Sequence, residues 1–493
     1  MIPISTTTLP LLNRTSANCP VHFPPKVLQF GGGNFLRAFA DRMIDDLNEQ
    51  TNFNGSVIVV KPTERGAYAA LDKQEGLFHV SMNGVRDGQL FSENQLVRCI
   101  SRVLHSYQEW EEFLKTAEIP SIRFILSNTT EAGIQASETD QLTDHPPKEF
   151  PAKLSRWLYH RFQSFDGRKD AACIFLPCEL IENNGDALRR CILQYADWWS
   201  LGEKFKHWIV EHNIFCNTLV DQIVPGFPQG RKEAVYKQIG FEDALLVDAE
   251  PYHLFVIQSP KDIRSELPFS PDNPQVVFTN DLAPYRQIKV RILNGAHTAM
   301  VPVGYLSGIE SVREAVEDKT VGPFIEQLLS EEILPTLDFP KETLEKYYKD
   351  VLDRFRNPFI HHRLISISLN AVAKFKTRVL PSLTAYQVSK QRLPNRIVFS
   401  FASLLWFYRG QRNEEPIPLK DHPDTIAFFK ELWQKQMNGS LSLEELVATI
   451  LAKEDFFEQN LNKIDGLAEA LTKHLSDFEA NGYQKTFLEQ FAA

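Results

Sequence analysis

Residues 26–50, KVLQFGGGNFLRAFADRMIDDLNEQ, constrain this chain more than any other stretch. Residues 27–30 form a short run suited to a buried strand. Gly31, Gly32 and Gly33 follow as a tight turn. Phe35, Phe39, Met43, Ile44 and Leu47 then recur at helical spacing. Strand, glycine turn and helix make the first βα unit of a doubly wound sheet, where backbone N–H groups at the helix start can face a pyrophosphate. Leu36 stands where the third glycine of G-x-G-x-x-G belongs, so a purely structural turn would read much the same. For a bound dinucleotide, the candidate contacts are Phe30, Gly31, Gly32, Gly33, Asn34 and Phe35.

Further strand-like runs are SVIVVKP (56–62), RFILSN (123–128) and ACIFLP (172–177). Helical patterns such as WEEFLKTAE (110–118) and KLSRWLYHRFQSF (153–165) lie between them. This alternation predicts an α/β, Rossmann-type domain. The end of the second strand usually carries an acid for the adenosine ribose. Here it carries Lys61, which can meet ribose hydroxyls, favour a 2′-phosphate, or simply face water, so NAD and NADP both stay open. From about residue 285 the segments VGPFIEQLLSEEILPTL, KETLEKYYKDVLDRFRN, HHRLISISLNAVAKF and SLEELVATILA all read as helices. The expected organisation is a dinucleotide domain over 1–284, with an irregular connecting region at 225–284, and a mostly α-helical substrate domain over 285–493. Residues 1–24 read as an extended lead-in.

A net charge of −10 lacks the basic footprint that phosphate neutralisation requires, which argues against a nucleic-acid partner. No run reaches the ~20 apolar residues that cross a bilayer, and the N-terminus lacks a signal-peptide pattern. The six cysteines form no C-x-x-C pair, and none follows Cys216. Reduced thiols in a cytoplasmic protein that handles small molecules are the expectation.

Residues 286–298, RQIKVRILNGAHT, set three polar groups in an apolar run. On a regular helix, with Lys289 at zero, His297 falls near about 80° and Asn294 near about 140°. All three can line one cleft at the start of the second domain. Oxidising a secondary alcohol needs a base for the O–H proton, and lysine serves when desolvation or nearby positive charge lowers its pKa. Arg286 and Arg291 are close in sequence. An asparagine amide can donate to the developing alkoxide, and a histidine can hold a substrate hydroxyl. No metal is required, and the ligand set of a zinc alcohol dehydrogenase is missing. Taken singly, a lysine at a helix start is usually solvated, and a lone histidine on an apolar face usually belongs to the core.

K-x-x-x-x-N-x-x-H at Lys289, Asn294 and His297 resembles the signature of the polyol-specific long-chain dehydrogenases, the mannitol dehydrogenase family. LQFGGGNFLRAFADRMIDDLN, LSNTTEAGI, FLPCELIENNGDALRRCILQYA, FCNTLVDQIVPG and RFRNPFIHHRLISISLNAVAKFKTRVLPSL are similar to the branch that reduces tagaturonate. The resemblance spans residues 28 to about 383. It implies metal-independent hydride transfer with NAD, Lys289 as general acid/base, and an oxyanion hole made by Asn294 and Asn184, with Asn183 as the alternative. It also implies Asn217, Asp221 and Glu131 near the substrate. Arg286 replaces a glutamate found in mannitol dehydrogenases, which adds positive charge beside the lysine. A uronate carboxylate calls for a further cation among His361, His362, Arg363, Lys374, Lys376 and Arg378. Lys374 aligns with a family lysine, and Arg378 suits bidentate contact. A fructuronate reductase, a mannitol dehydrogenase and, in another class, an inactive nucleotide-binding protein are the alternatives. The family includes monomers, and a monomer is the expectation.

Overall fold

The computed structural model describes residues 9–20, 23–64, 66, 68–129, 133–270, 273, 275–412 and 415–492. The chain divides into two compact units, Met1–Asn83 with Leu90–Leu282, and Gly84–Gln89 with Ala283–Ala493.

The first unit is built on six parallel strands: β1 (Pro25–Phe30), β2 (Ser56–Lys61), β3 (Ile100–His105), β4 (Phe124–Ser127), β5 (Ile174–Pro177) and β6 (Ile214–Phe215). Their order is β3-β2-β1-β4-β5-β6. Strand order reverses beside β1, and in open α/β sheets ligands bind outside the carboxyl ends of the strands at that point. Alternation along β1 separates two cores. Leu28 and Phe30 join Ile58, Val60, Phe113, Trp157 and Trp208 on one face. Val27 joins Val57, Val59, Phe39, Met43 and Leu126 on the other. Gln29, on the second face, is fully buried among them.

The connecting region expected to be irregular is largely ordered. Residues 225–284 contain a helix, Lys232–Ile239, and strands Val247–Ala249, Leu254–Gln258 and Val276–Thr279. These strands are three to five residues long, and their pairing partners are mostly distant in sequence. Leu254–Gln258 runs antiparallel to Asn217–Asp221 and parallel to Val276–Thr279. Val247–Ala249 pairs with Val80–Met82. The lead-in is anchored too: Leu12 is fully buried and donates its N–H to Glu242 O at 3.0 Å.

The second unit is a helical assembly around Gly295–Leu306, all of whose residues are buried. A helix apolar on every face belongs in a core. Asn395–Phe407 packs against it, and Ser400 Oγ donates to Ala299 O at 2.9 Å. HHRLISISLNAVAKF is not one helix but two, Leu364–Ile367 and Ala371–Arg378, broken at Asn370 with φ +54°. Among the described residues no helix is long and apolar enough to cross a membrane. Cys99, Cys173, Cys178, Cys191 and Cys216 are buried, Cys19 is half-buried, and all six are unpaired thiols. Burial raises the pKa of each of the five buried thiols.

Candidate active site

In the first unit the turn after β1 sits at the strand-order reversal. Gly31 has φ +109° and donates its N–H to Val60 O at 3.0 Å. A Cβ there would lie 3.2 Å from Asn128 O. Gly32 donates to the Tyr68 hydroxyl at 2.6 Å. A Cβ on Gly33 would meet nothing within 4 Å, so space opens at the start of the helical run that begins at Asn34. Asn34 is exposed, and its Oδ1 accepts from Arg37 Nη2 at 2.7 Å. Phe35 stacks on Phe39. Phe30 packs against Phe113 and Phe150 in the core, so only its backbone is offered to a ligand.

Behind the turn, Gln29 Nε2 donates to Gly31 O and to Asp41 Oδ2, each at 3.1 Å. Asp41 is fully buried, and desolvation raises its pKa to about 7 against the opposing Gln29 hydrogen bond. Among the described residues neither Asp41 Oδ1 nor Gln29 Oε1 has a donor. Lys61 is buried at the end of β2. Its Nζ donates to Glu64 O at 3.0 Å and lies 5.8 Å over the Tyr68 ring.

At the ends of β4 and β5, buried Glu179 accepts from Ser127 Oγ, Thr129 N and Thr129 Oγ1, each at 3.0 Å. Burial raises its pKa. Glu179 and Tyr68 were not singled out from sequence. For Glu179 the signal is a carboxylate directly after a strand in FLPCE; for Tyr68 there is none.

Asn184 departs from expectation. It is buried, and its Nδ2 donates to Pro177 O, Glu179 O and the Thr218 oxygens at 2.9–3.3 Å. Its Oδ1 accepts from Gly185 N and Thr218 N, both at 2.9 Å. An amide with both N–H groups held by buried acceptors braces the strand ends and has none left for an oxyanion. Asn183, exposed at φ +50°, is its neighbour at the helix start. Asn217 is held by Asp186: its Nδ2 donates to Asp186 Oδ2 at 2.9 Å, and its Oδ1 accepts from Asp186 N at 3.0 Å. Asp221 is buried at the end of the strand Asn217–Asp221. Glu131 lies outside the described residues. Gly185 has no room for a side chain, since a Cβ would clash with Cys216 O and lie 2.6 Å from its carbonyl carbon. Gly185→Ala should therefore lower stability by about 2–3 kcal/mol, checked by calorimetry.

In the second unit the RQIKVRILNGAHT helix is not regular. Ala283–Ile288 and Gly295–Leu306 are α-helical, but Lys289–Asn294 is a π-turn in which Gly295 N–H reaches back to Val290 O. A π-turn holds about one surplus residue, so Asn294 and His297 sit roughly as if four and seven residues beyond Lys289. At about 100° per residue the three then share an arc of about 60°, against the 140° of a regular helix. Lys289 and Asn294 are half-buried, and His297 is buried. Arg291 points into the protein instead, with Nε on Ser382 Oγ at 2.6 Å and Nη2 on Thr336 Oγ1 at 2.9 Å. Burial lowers its pKa to about 10.

The His297 ring lies 4.5 Å from Phe355 and 5.1 Å, edge to face, from His362. His362, rather than exposed His361 beside Glu314, is the histidine turned toward it. Burial lowers the His362 pKa and Lys374 lowers it further. Lys374 Nζ donates to Ile367 O at 2.8 Å; burial and then Arg378 lower its pKa, opposed by Asp421. Burial likewise lowers that of Arg378. Lys376 pairs with Glu458 at 2.6 Å, and Arg363 lies 3.8 Å from Glu310. Among the described residues no carboxylate forms a salt bridge with His362, Lys374 or Arg378.

The chain matches the mannitol dehydrogenase Rossmann domain over residues 25–270 and the mannitol dehydrogenase C-terminal domain over residues 281–479. It is 44% identical to an altronate oxidoreductase of Bacillus subtilis over 480 residues, 97% of this chain and 98% of that one. An altronate oxidoreductase of Yersinia enterocolitica is 43% identical over 460 residues, 93% of this chain and 95% of the relative. Two solved structures share the fold at 21% identity. A substrate-free D-sorbitol dehydrogenase has a TM-score of 0.79 over 97% of this chain and 100% of its own. Pseudomonas fluorescens mannitol 2-dehydrogenase, solved as a ternary complex with NAD and D-mannitol, has a TM-score of 0.67 over 97% and 99%.

Proposed function

The chain belongs to the mannitol dehydrogenase family, and from that premise we propose that it is an NAD-dependent oxidoreductase interconverting D-altronate and D-tagaturonate. The observation that carries the chemistry is the π-turn, which aligns Lys289, Asn294 and His297 on one face. NAD supplies the hydride acceptor for altronate and, reduced, the hydride donor for tagaturonate. Lys289 takes the substrate O–H proton in oxidation and returns it in reduction. The Asn294 amide donates to the oxygen as negative charge develops there. His297 orients a neighbouring hydroxyl. Residues 1–284 hold the dinucleotide and residues 285–493 the sugar acid, with Asp221, Asn217 and Glu131 as further substrate contacts. Asn184 acts by bracing Thr218 and the strand ends.

The residues present fit a dinucleotide. The cradle at Gly31–Gly33 is open at Gly33 and followed by a helical run. NAD is favoured over NADP because Lys61, the cation a 2′-phosphate would need, is buried on the Glu64 carbonyl. The substrate carboxylate is assigned to Arg378 and Lys374, cations with no salt bridge among the described residues, with the His362 ring, 5.1 Å from His297, as a further hydrogen-bond donor. The enzyme is cytoplasmic and monomeric in this proposal.

NADH oxidation with tagaturonate, fructuronate and fructose side by side tests the assignment. Preference for tagaturonate supports it; preference for fructuronate or fructose moves the chain to another branch. Arg378→Met should raise KM for tagaturonate at least about tenfold and leave NADH affinity unchanged, since a charge-assisted contact is lost. Equal KM values would remove Arg378 from the carboxylate site.

A further inference from the structure

In a G-x-G turn the second glycine, here Gly33, lets the backbone come close to the pyrophosphate. The Gly32 N–H just before it is already engaged, by the Tyr68 hydroxyl at 2.6 Å. We infer that Tyr68 is itself a cofactor-binding residue, whose hydroxyl accepts from Gly32 and passes its own proton outward as the hydrogen-bond donor to a pyrophosphate oxygen. This rests on the dinucleotide-binding assignment above.

A phenol oxygen that accepts from an N–H still has one O–H hydrogen to give. Among the described residues no acceptor takes it. The ring is seated to hold this position. A Cβ on Gly32 would come within 2.9 Å of Tyr68 Cε1 and 3.2 Å of Val59 Cγ1, so the glycine leaves room for the ring. Lys61 Nζ donates to Glu64 O, and the same ammonium lies over the Tyr68 ring. Beside the hydroxyl the turn opens at Gly33, where an added Cβ would touch nothing within 4 Å. An oxyanion there would meet a neutral donor. Burial raises the phenol pKa, so the hydroxyl keeps its proton through the neutral range, while Arg37 and Asp41 act on it in opposite senses. The hydroxyl extends the backbone cradle by one side-chain donor, and its target is a diphosphate bridge rather than the base or ribose.

Binding of NADH, ADP and adenosine to wild type and Tyr68→Phe tests this, with affinities from calorimetry and melting curves to verify folding. Removing one donor to a charged acceptor should weaken NADH and ADP about tenfold and leave adenosine, which has no phosphate, unchanged. Tyr68→His, which keeps a ring N–H, should recover part of the ADP affinity and serves as the test if the phenylalanine variant is unstable. Unchanged or tighter ADP binding in Tyr68→Phe would overturn the inference, because the ring would then only plug the Gly32 N–H. If wild type binds adenosine but neither ADP nor NADH, the dinucleotide assignment falls and this inference with it.

Discussion

Lys289→Ala should lower kcat for altronate oxidation by on the order of 10²–10⁴, the range a general base contributes, with NADH affinity unchanged. The effect should be chemical rather than architectural. Lys289 is half-buried on the π-turn, whereas the fastening of that turn is made by Arg291 on Ser382 and Thr336. Two readouts separate loss of a base from loss of shape. The variant should melt where wild type does. Added primary amines, which restore a proton acceptor without a side chain, should recover part of the activity. Retention of more than about a tenth of kcat would remove Lys289 from its role.

Asp41→Asn should stabilise the protein at pH 8 by on the order of 3–4 kcal/mol, and much less at pH 5. Asp41 is buried behind the glycine turn, and desolvation raises its carboxyl pKa to about 7. The unfolded chain releases that proton near pH 4. Between about pH 4 and pH 7 the folded state therefore binds more protons than the unfolded one, and stability falls as pH rises through the window. The full penalty is present above pH 7. Asparagine cannot ionise and keeps an acceptor for Gln29 Nε2, so the slope should disappear. Urea unfolding of both proteins at pH 5 and pH 8 measures the difference. A variant no better at pH 8 than at pH 5, relative to wild type, would show that Asp41 ionises freely in the fold.

Much of the fold was legible because its central strands are buried on both faces. VIVV, FIL and IFLP are unbroken apolar runs, VLQF is interrupted only by Gln29, and each lies in a strand of the parallel sheet. Ile100–His105 escaped notice because ISRVLH interleaves exposed polar residues, and Ile214–Phe215 because two residues carry no pattern. The strands within 225–284 were hidden for a different reason: register with distant partners makes them, and local periodicity does not record it. In the candidate site the residue types in RQIKVRILNGAHT were readable, but their arc was not. Nothing in the composition of KVRILN announces a surplus residue, and the regular-helix estimate set Asn294 too far from Lys289. Asn184 shows the opposite limit. Its kind and place suited a donor to substrate, and only the surrounding carbonyls reveal that its N–H groups are already held. His361 and His362 are adjacent in sequence, and which of them turns toward His297 is decided by packing.

The buried cysteines give the molecule a practical property. With five thiols enclosed and held protonated, only Cys19 presents sulfur to reagents in solution. Thiol-directed alkylating agents then have one half-buried point of attack, remote in sequence from Lys289. The same seclusion makes Cys19 a ready single anchor for a maleimide dye on an otherwise unaltered chain.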